Sequence, residues 1–188
     1  MTKVFIGGSR RTSRLNSEVR ARIDRMMEQH LPIVVGDANG VDKAVQQYLH
    51  GRGYQSVEVF CMAGSCRNNV GRWPTRNVVA PKGQRGFDYF TAKDREMARE
   101  ASVGFMIWDG RSFGTLVNVL RLVRQEKNAV VYSVPKKEFR TVRSGSDWRN
   151  LLAQCNQELR QRFERFERTE GSSFPAEGEA DLFSKEAG

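Results

Sequence analysis

The stretch Val103-Gly-Phe-Met-Ile-Trp-Asp-Gly-Arg-Ser-Phe-Gly-Thr-Leu-Val-Asn-Val-Leu120 is an apolar run that breaks into a glycine-flanked turn and resumes at helical spacing. Val103 to Trp108 is almost continuously apolar, as a parallel strand covered on both faces must be. Leu116, Val119, Leu120 and Val123 then recur every three or four residues. The reading is strand, loop, helix. The turn 109–115 therefore sits at the carboxyl end of a buried strand, where open α/β sheets bind ligands. Gly110 and Gly114 allow close backbone approach. Thr115 offers a hydroxyl, Arg111 and Ser112 add donors, and amides at the helix start can hold a phosphate.

The same order occurs twice upstream. Lys3-Val-Phe-Ile6 runs into Gly7-Gly-Ser-Arg-Arg-Thr-Ser-Arg14, after which Asn16 or Ser17 can cap a helix carrying Val19, Ile23, Met26 and Met27. This is neither the dinucleotide fingerprint nor a P-loop, which would end in Gly-Lys-Ser/Thr. Gly7 and Gly8 can still present amides to an anion, with Ser9 and Arg10 beside them. Arg10 is placed for ligand contact or for solvent. Pro32-Ile-Val-Val-Gly36 is the next strand, followed by Asp37-Ala-Asn-Gly-Val-Asp42 and a helix. Here Asp42 either caps that helix or faces a ligand, and Asp37 or Asn39 can hold a ribose hydroxyl.

Ser56 to Cys61 forms a third strand, and then the pattern fails. Residues 62–87 hold five basic side chains, four glycines, two prolines and Trp73, with no acid. A connection this long with no recognisable element is expected to be a mobile basic lid over an anionic ligand. A helix from about Phe87 to Ala98 follows, leaving Lys93, Asp94 and Arg95 to divide between solvent and site. Asn128 to Val134 supplies a fifth strand. Strands alternating with helices imply a Rossmann-like, doubly wound parallel sheet of about five strands. A single long helix is expected over residues 147–168, with Trp148, Leu151, Leu152, Cys155, Leu159, Phe163 and Phe166 in one stripe. Its length suggests a homodimer contact. The expected organisation is a ligand-binding domain over 1–145, an amphipathic helix over 146–168 and an acidic disordered tail over 169–188.

The net charge of +9 conceals an asymmetry: from Glu170 onward five acids face one lysine, so the preceding body carries the larger surplus. That surplus suits polyanionic ligands, either free nucleotide or nucleic acid. No 18-residue apolar run or apolar leader is present, which implies a soluble cytoplasmic protein away from membranes. Cys61, Cys66 and Cys155, with only His30 and His50, argue against a zinc site or a disulfide framework, and no cofactor is expected.

Taken together, Val4-Phe-Ile-Gly-Gly-Ser-Arg10, Gly36-Asp-Ala-Asn-Gly-Val-Asp42, Lys93-Asp-Arg-Glu-Met97 and Asp109-Gly-Arg-Ser-Phe-Gly-Thr115 resemble the successive motifs of the SLOG superfamily. This Rossmann-like group contains the Smf/DprA proteins and the Lonely Guy phosphoribohydrolases. The resemblance covers about residues 3–134 and implies a nucleotide-derived ligand, with phosphate at the Gly114-Thr115 turn and the first loop. The enzymatic branch carries a proline-glycine-glycine turn and a catalytic glutamate, where this chain has Asp109-Gly-Arg-Ser and Asn118. Asparagine cannot serve as a carboxylate base or stabilise an oxocarbenium charge. The resemblance thus implies a binder or sensor first. The alternatives are an N-glycosidase using Asp94, Asp109 and Lys93 in another geometry, and a single-stranded DNA binder.

Overall fold

The computed structural model describes residues 2–62, 64, 66–83 and 85–170. Its strands are β1 (Val4–Gly8), β2 (Ile33–Gly36), β3 (Val57–Met62), β4 (Thr75–Val78), β5 (Val103–Trp108), β6 (Asn128–Ser133) and β7 (Glu138–Val142). The helices are α1 (Ser17–Glu28), α2 (Val41–Gly51), α3 (Gly86–Phe90), α4 (Ala92–Glu100), α5 (Phe113–Arg124), α6 (Gly145–Ala153) and α7 (Gln157–Glu170). The fold is α/β, with one sheet in the order β4-β3-β2-β1-β5-β6-β7. All pairings are parallel except β6 with β7.

Alternation along each strand explains the two-sided core. Val4 and Ile6, Ile33 and Val35, and Phe105 and Ile107 pack under α1 and α2. Phe5, Val34, Met106 and Trp108 pack under the opposite layer of α4, α5, α6 and α7. Neither face of the central strands β1, β2 and β5 meets water, which is why they read as nearly unbroken apolar runs. After β1 the chain builds outward through β2, β3 and β4, then returns to lay β5 against the other side of β1. The order therefore reverses between β1 and β5. A crevice opens beyond the carboxyl ends of strands at such a point.

Two sequence expectations are corrected. The sheet has seven strands, not five, because both edges gain one. β4 lies within the stretch expected to be a lid, whose Trp73 is buried and donates from Nε1 to the Tyr54 carbonyl at 2.9 Å. Arg76 of the same stretch bridges Glu58 at 3.1 Å and Glu100 at 2.6 Å, fastening β4 to the body. Cys61 and Cys66 form a disulfide with Cα atoms 5.0 Å apart, one local bridge and not the disulfide framework that the sequence argued against.

The long C-terminal helix is also two helices. Asn156 caps α7 by accepting the Leu159 amide at 2.9 Å, so the chain turns between α6 and α7. The helices pack together, and Trp148 Nε1 donates to Glu167 at 3.2 Å. The apolar stripe is consequently spent inside its own chain. Phe163 is fully buried, its ring 4.6 Å from that of Phe113 and 5.0 Å from that of Trp148. This leaves the expected homodimer without the exposed face on which it rested. The acidic tail lies outside the described residues from 171 onward.

Candidate functional site

A cleft of about 700 Å³ opens at the reversal between β1 and β5. One wall is the β1 loop, with Gly7, Gly8, Ser9, Arg10 and Arg11. The other is the start of α5, with Asp109, Arg111, Ser112, Gly114 and Thr115. Asp42, Lys93, Asp94 and Asn118 are deeper in the cleft. Five sequence candidates do not line it: Gly36, Asp37, Asn39, Arg95 and Gly110.

The α5 wall is shaped by its own side chains. Asp109 accepts the Arg111 and Ser112 amides at 3.0 and 2.7 Å, folding the turn, and takes the Ser9 hydroxyl at 2.6 Å. Burial opposes charge on Asp109, but these donors outweigh it and hold its carboxyl below the usual range. Its oxygens are thus committed to joining the two walls. Ser112 caps α5, accepting the Thr115 amide at 3.4 Å and its hydroxyl at 2.9 Å. The first turn of α5 carries no acid of its own, and the one carboxylate at its start, Asp109, is held by the Arg111 and Ser112 amides and the Ser9 hydroxyl. A Cβ on Gly114 would meet nothing nearer than Phe87 at 3.8 Å, which leaves room for ligand atoms against the backbone.

The glycines of the other loops are closed. A Cβ on Gly8 would strike the Ile107 carbonyl and the Val41 side chain. One on Gly36 would strike Asp42 Oδ2 and Lys93 Nζ. Gly36 is thus glycine so that a charged pair can fill its space. Gly40, at φ +85°, backs onto the Arg10 main chain and caps α2 without any side-chain bond from Asp42. Asp42 instead turns inward and accepts the Ala38 amide at 3.2 Å.

Lys93 is only 3% exposed, and three carboxylates surround it: Asp94 at 2.8 Å, with Asp42 and Asp37 each at 3.9 Å. Burial disfavours its charge, yet Asp94, Asp42 and Asp37 together overcome this and raise its pKa above the ordinary lysine value. Asp37, 1% exposed, is held by the Arg67 guanidinium at 2.7 and 3.2 Å and by the Arg67 amide at 3.1 Å. Those bonds outweigh its burial and keep its carboxyl low, and Asp37 is turned toward Arg67 and does not line the cleft where the ribose anticipated from sequence would lie. Asp42 has no such partner. Burial, reinforced by Asp94 and Asp37 and only partly offset by Lys93, pushes its carboxyl up to about 6. Asn118 donates to Asp94 Oδ2 at 3.4 Å and accepts from Arg121 at 3.3 Å. The position that resembled a glutamate site therefore orients a carboxylate supplied by α4.

Sequence reasoning did not anticipate the contribution of α7. Asn156, Glu158, Leu159 and Arg162 line the cleft, and the Arg162 guanidinium lies 3.9 Å over the Phe113 ring. Among the described residues no group of three or more His, Cys, Asp or Glu side chains is placed to hold a metal ion, and no helix is long and apolar enough to cross a membrane.

No family model matches the chain, and no curated protein matches it in sequence. Solved structures do share its fold. DNA processing protein A from Helicobacter pylori is 14% identical with a TM-score of 0.52, covering 89% of this chain and 81% of that one. DNA processing protein A (DprA) from Streptococcus pneumoniae is 18% identical with a TM-score of 0.49, covering 82% of this chain and 62% of that one. At such identities the likeness extends to a Rossmann-like fold.

Proposed function

We propose that the cleft binds a nucleotide-derived small molecule, its phosphate against Gly114 and Thr115 and its sugar over Asp42, Lys93 and Asp94. The observation that carries this reading is the pairing of two unlike regions in one crevice. The open space beside Gly114 in the first turn of α5, with Arg10, Arg11, Arg111 and Arg162 lining the same cleft, suits an anion. A buried lysine ringed by carboxylates offers paired donors and acceptors to hydroxyls. The SLOG resemblance of the four loops points to the same ligand class.

The presence of Asp42 and Asp94 among the cleft's carboxylates favours a second reading, N-glycosidic cleavage of that ligand. Asp42 and Asp94 can place a proton donor and a negative charge beside an anomeric carbon. A wider ligand is also consistent with the fold. The H. pylori protein is described by its single-stranded DNA binding, and this chain carries a net charge of +9.

One thermal-shift panel separates these readings, using nucleoside mono- and diphosphates, the matching nucleosides and a single-stranded oligonucleotide. The proposal expects the phosphates to raise Tm and the nucleosides to leave it unchanged. Stabilisation by the oligonucleotide alone would select the DNA reading. Release of free base, detected chromatographically and abolished by Asp94→Asn, would select cleavage.

A further inference from the structure

A second cavity, of about 220 Å³, lies between the β6–β7 hairpin and α6. Its floor is apolar: Trp108, Val131, Leu151 and Cys155 line it, and all are buried. Set into this lining is Ser133, 7% exposed, whose Oγ has no hydrogen-bond partner. A buried hydroxyl left unpaired is destabilising. A ligand that accepts from it would remove that cost.

The rim is net positive, with two cations and one carboxylate. Lys136 Nζ and Arg140 Nη2 both donate to Gln154 Oε1, at 3.1 and 3.0 Å. Two cations thus converge on one neutral oxygen. Glu138 is the single carboxylate on the cavity, 3.8 Å from Lys136. A ligand carboxylate taking the place of the Gln154 amide oxygen would give both cations charge-assisted bonds.

We propose that this cavity is a second binding site, separate from the nucleotide cleft, for a small organic carboxylate with a compact apolar body. The volume sets the size of that body. It exceeds the roughly 150 Å³ of an apolar cavity that takes benzene. It falls short of the roughly 300 Å³ at which drug-sized pockets begin. One aromatic ring with an acid group meets both limits. The site also adjoins the cleft: Asn156 lines both cavities, and Gly110, at φ +82°, lies where a Cβ would be 3.1 Å from Pro135. An occupant therefore rests on the residue that follows Asp109.

Two-dimensional 1H–15N spectra of the full-length protein titrated with benzoate test the proposal, with benzyl alcohol and acetate as probes lacking the charge or the ring. The expected result is saturable shifts at the amides of Gly110, Ser133 and Gln154 with benzoate. At equal concentration, the two control probes should give less than a fifth of the occupancy. Arg140→Gln and, independently, the exposed-site variant Lys136→Gln should each weaken benzoate at least fivefold while keeping the dispersion of the unliganded spectrum. Absence of saturable shifts would overturn the site. So would shifts confined to cleft residues such as Gly114 and Arg162, or undiminished affinity in both variants.

Discussion

Gly8, at the end of β1, and Gly114, in the first turn of α5, stand on opposite walls of one cleft, yet only Gly114 leaves its space open. At Gly8 the space is occupied by the Ile107 carbonyl and Val41, while at Gly114 the nearest atom to a new Cβ is 3.8 Å away. Glycine-bearing turns that look alike in sequence thus do different work. The β1 loop uses glycine so that β1 and β5 can pair and α2 can pack close. The β5 loop leaves backbone available to a ligand. Gly36 belongs with Gly8, since Asp42 and Lys93 fill its place.

The contrast predicts which substitutions damage the fold and which damage the site. Gly8→Ala forces a methyl against rigid backbone and should cost about 3 kcal/mol or more by urea denaturation. A cost under about 0.5 kcal/mol would show that the wall is not closed. Arg67→Ala leaves Asp37 buried beside Lys93 alone and should cost about 2–4 kcal/mol by the same measurement.

Asp42 sharpens the comparison through pH. Its carboxyl stands at about 6 in the folded chain, above its ordinary 3.8. Between these values the folded protein holds a proton that the unfolded chain has lost. This contribution therefore makes stability fall as pH rises from about 4 to about 6, then stay level. Asp37, Asp109 and Glu100 have lowered values, so their stabilisation is lost only as pH falls below the ordinary carboxylate range. Asp42→Asn should abolish the decline and gain on the order of 2 kcal/mol relative to wild type at pH 7.5, with little difference at pH 4. Parallel stability curves for the two proteins would refute this assignment.

The three strand–turn–helix units were legible because their strands are buried on both faces and their helices keep apolar residues on one side. What the sequence concealed lies at the edges and across long separations. β4, Thr75-Arg-Asn-Val78, has a single apolar residue, as suits an edge strand, so no pattern marks it. The stripe from Trp148 to Phe166 keeps helical spacing through the turn at Asn156, which hid the break although a capping residue stood there. The pairing of Arg67 with Asp37 spans 30 positions and left no local trace. It nevertheless decides that Asp37 is structural while Asp42 remains in the cleft.

The most direct test of the central claim is calorimetric titration of a nucleoside monophosphate, and of the same nucleoside without phosphate, into wild type and Gly114→Val. A Cβ at Gly114 meets nothing nearer than Phe87 at 3.8 Å, on the side of the turn where the phosphate is proposed to lie. The variant is expected to keep the wild-type Tm but to bind the monophosphate at least about tenfold more weakly, a loss of ~1.4 kcal/mol, and the nucleoside to bind neither protein measurably. Equal monophosphate affinity in the two proteins, with unchanged Tm, would contradict the claim.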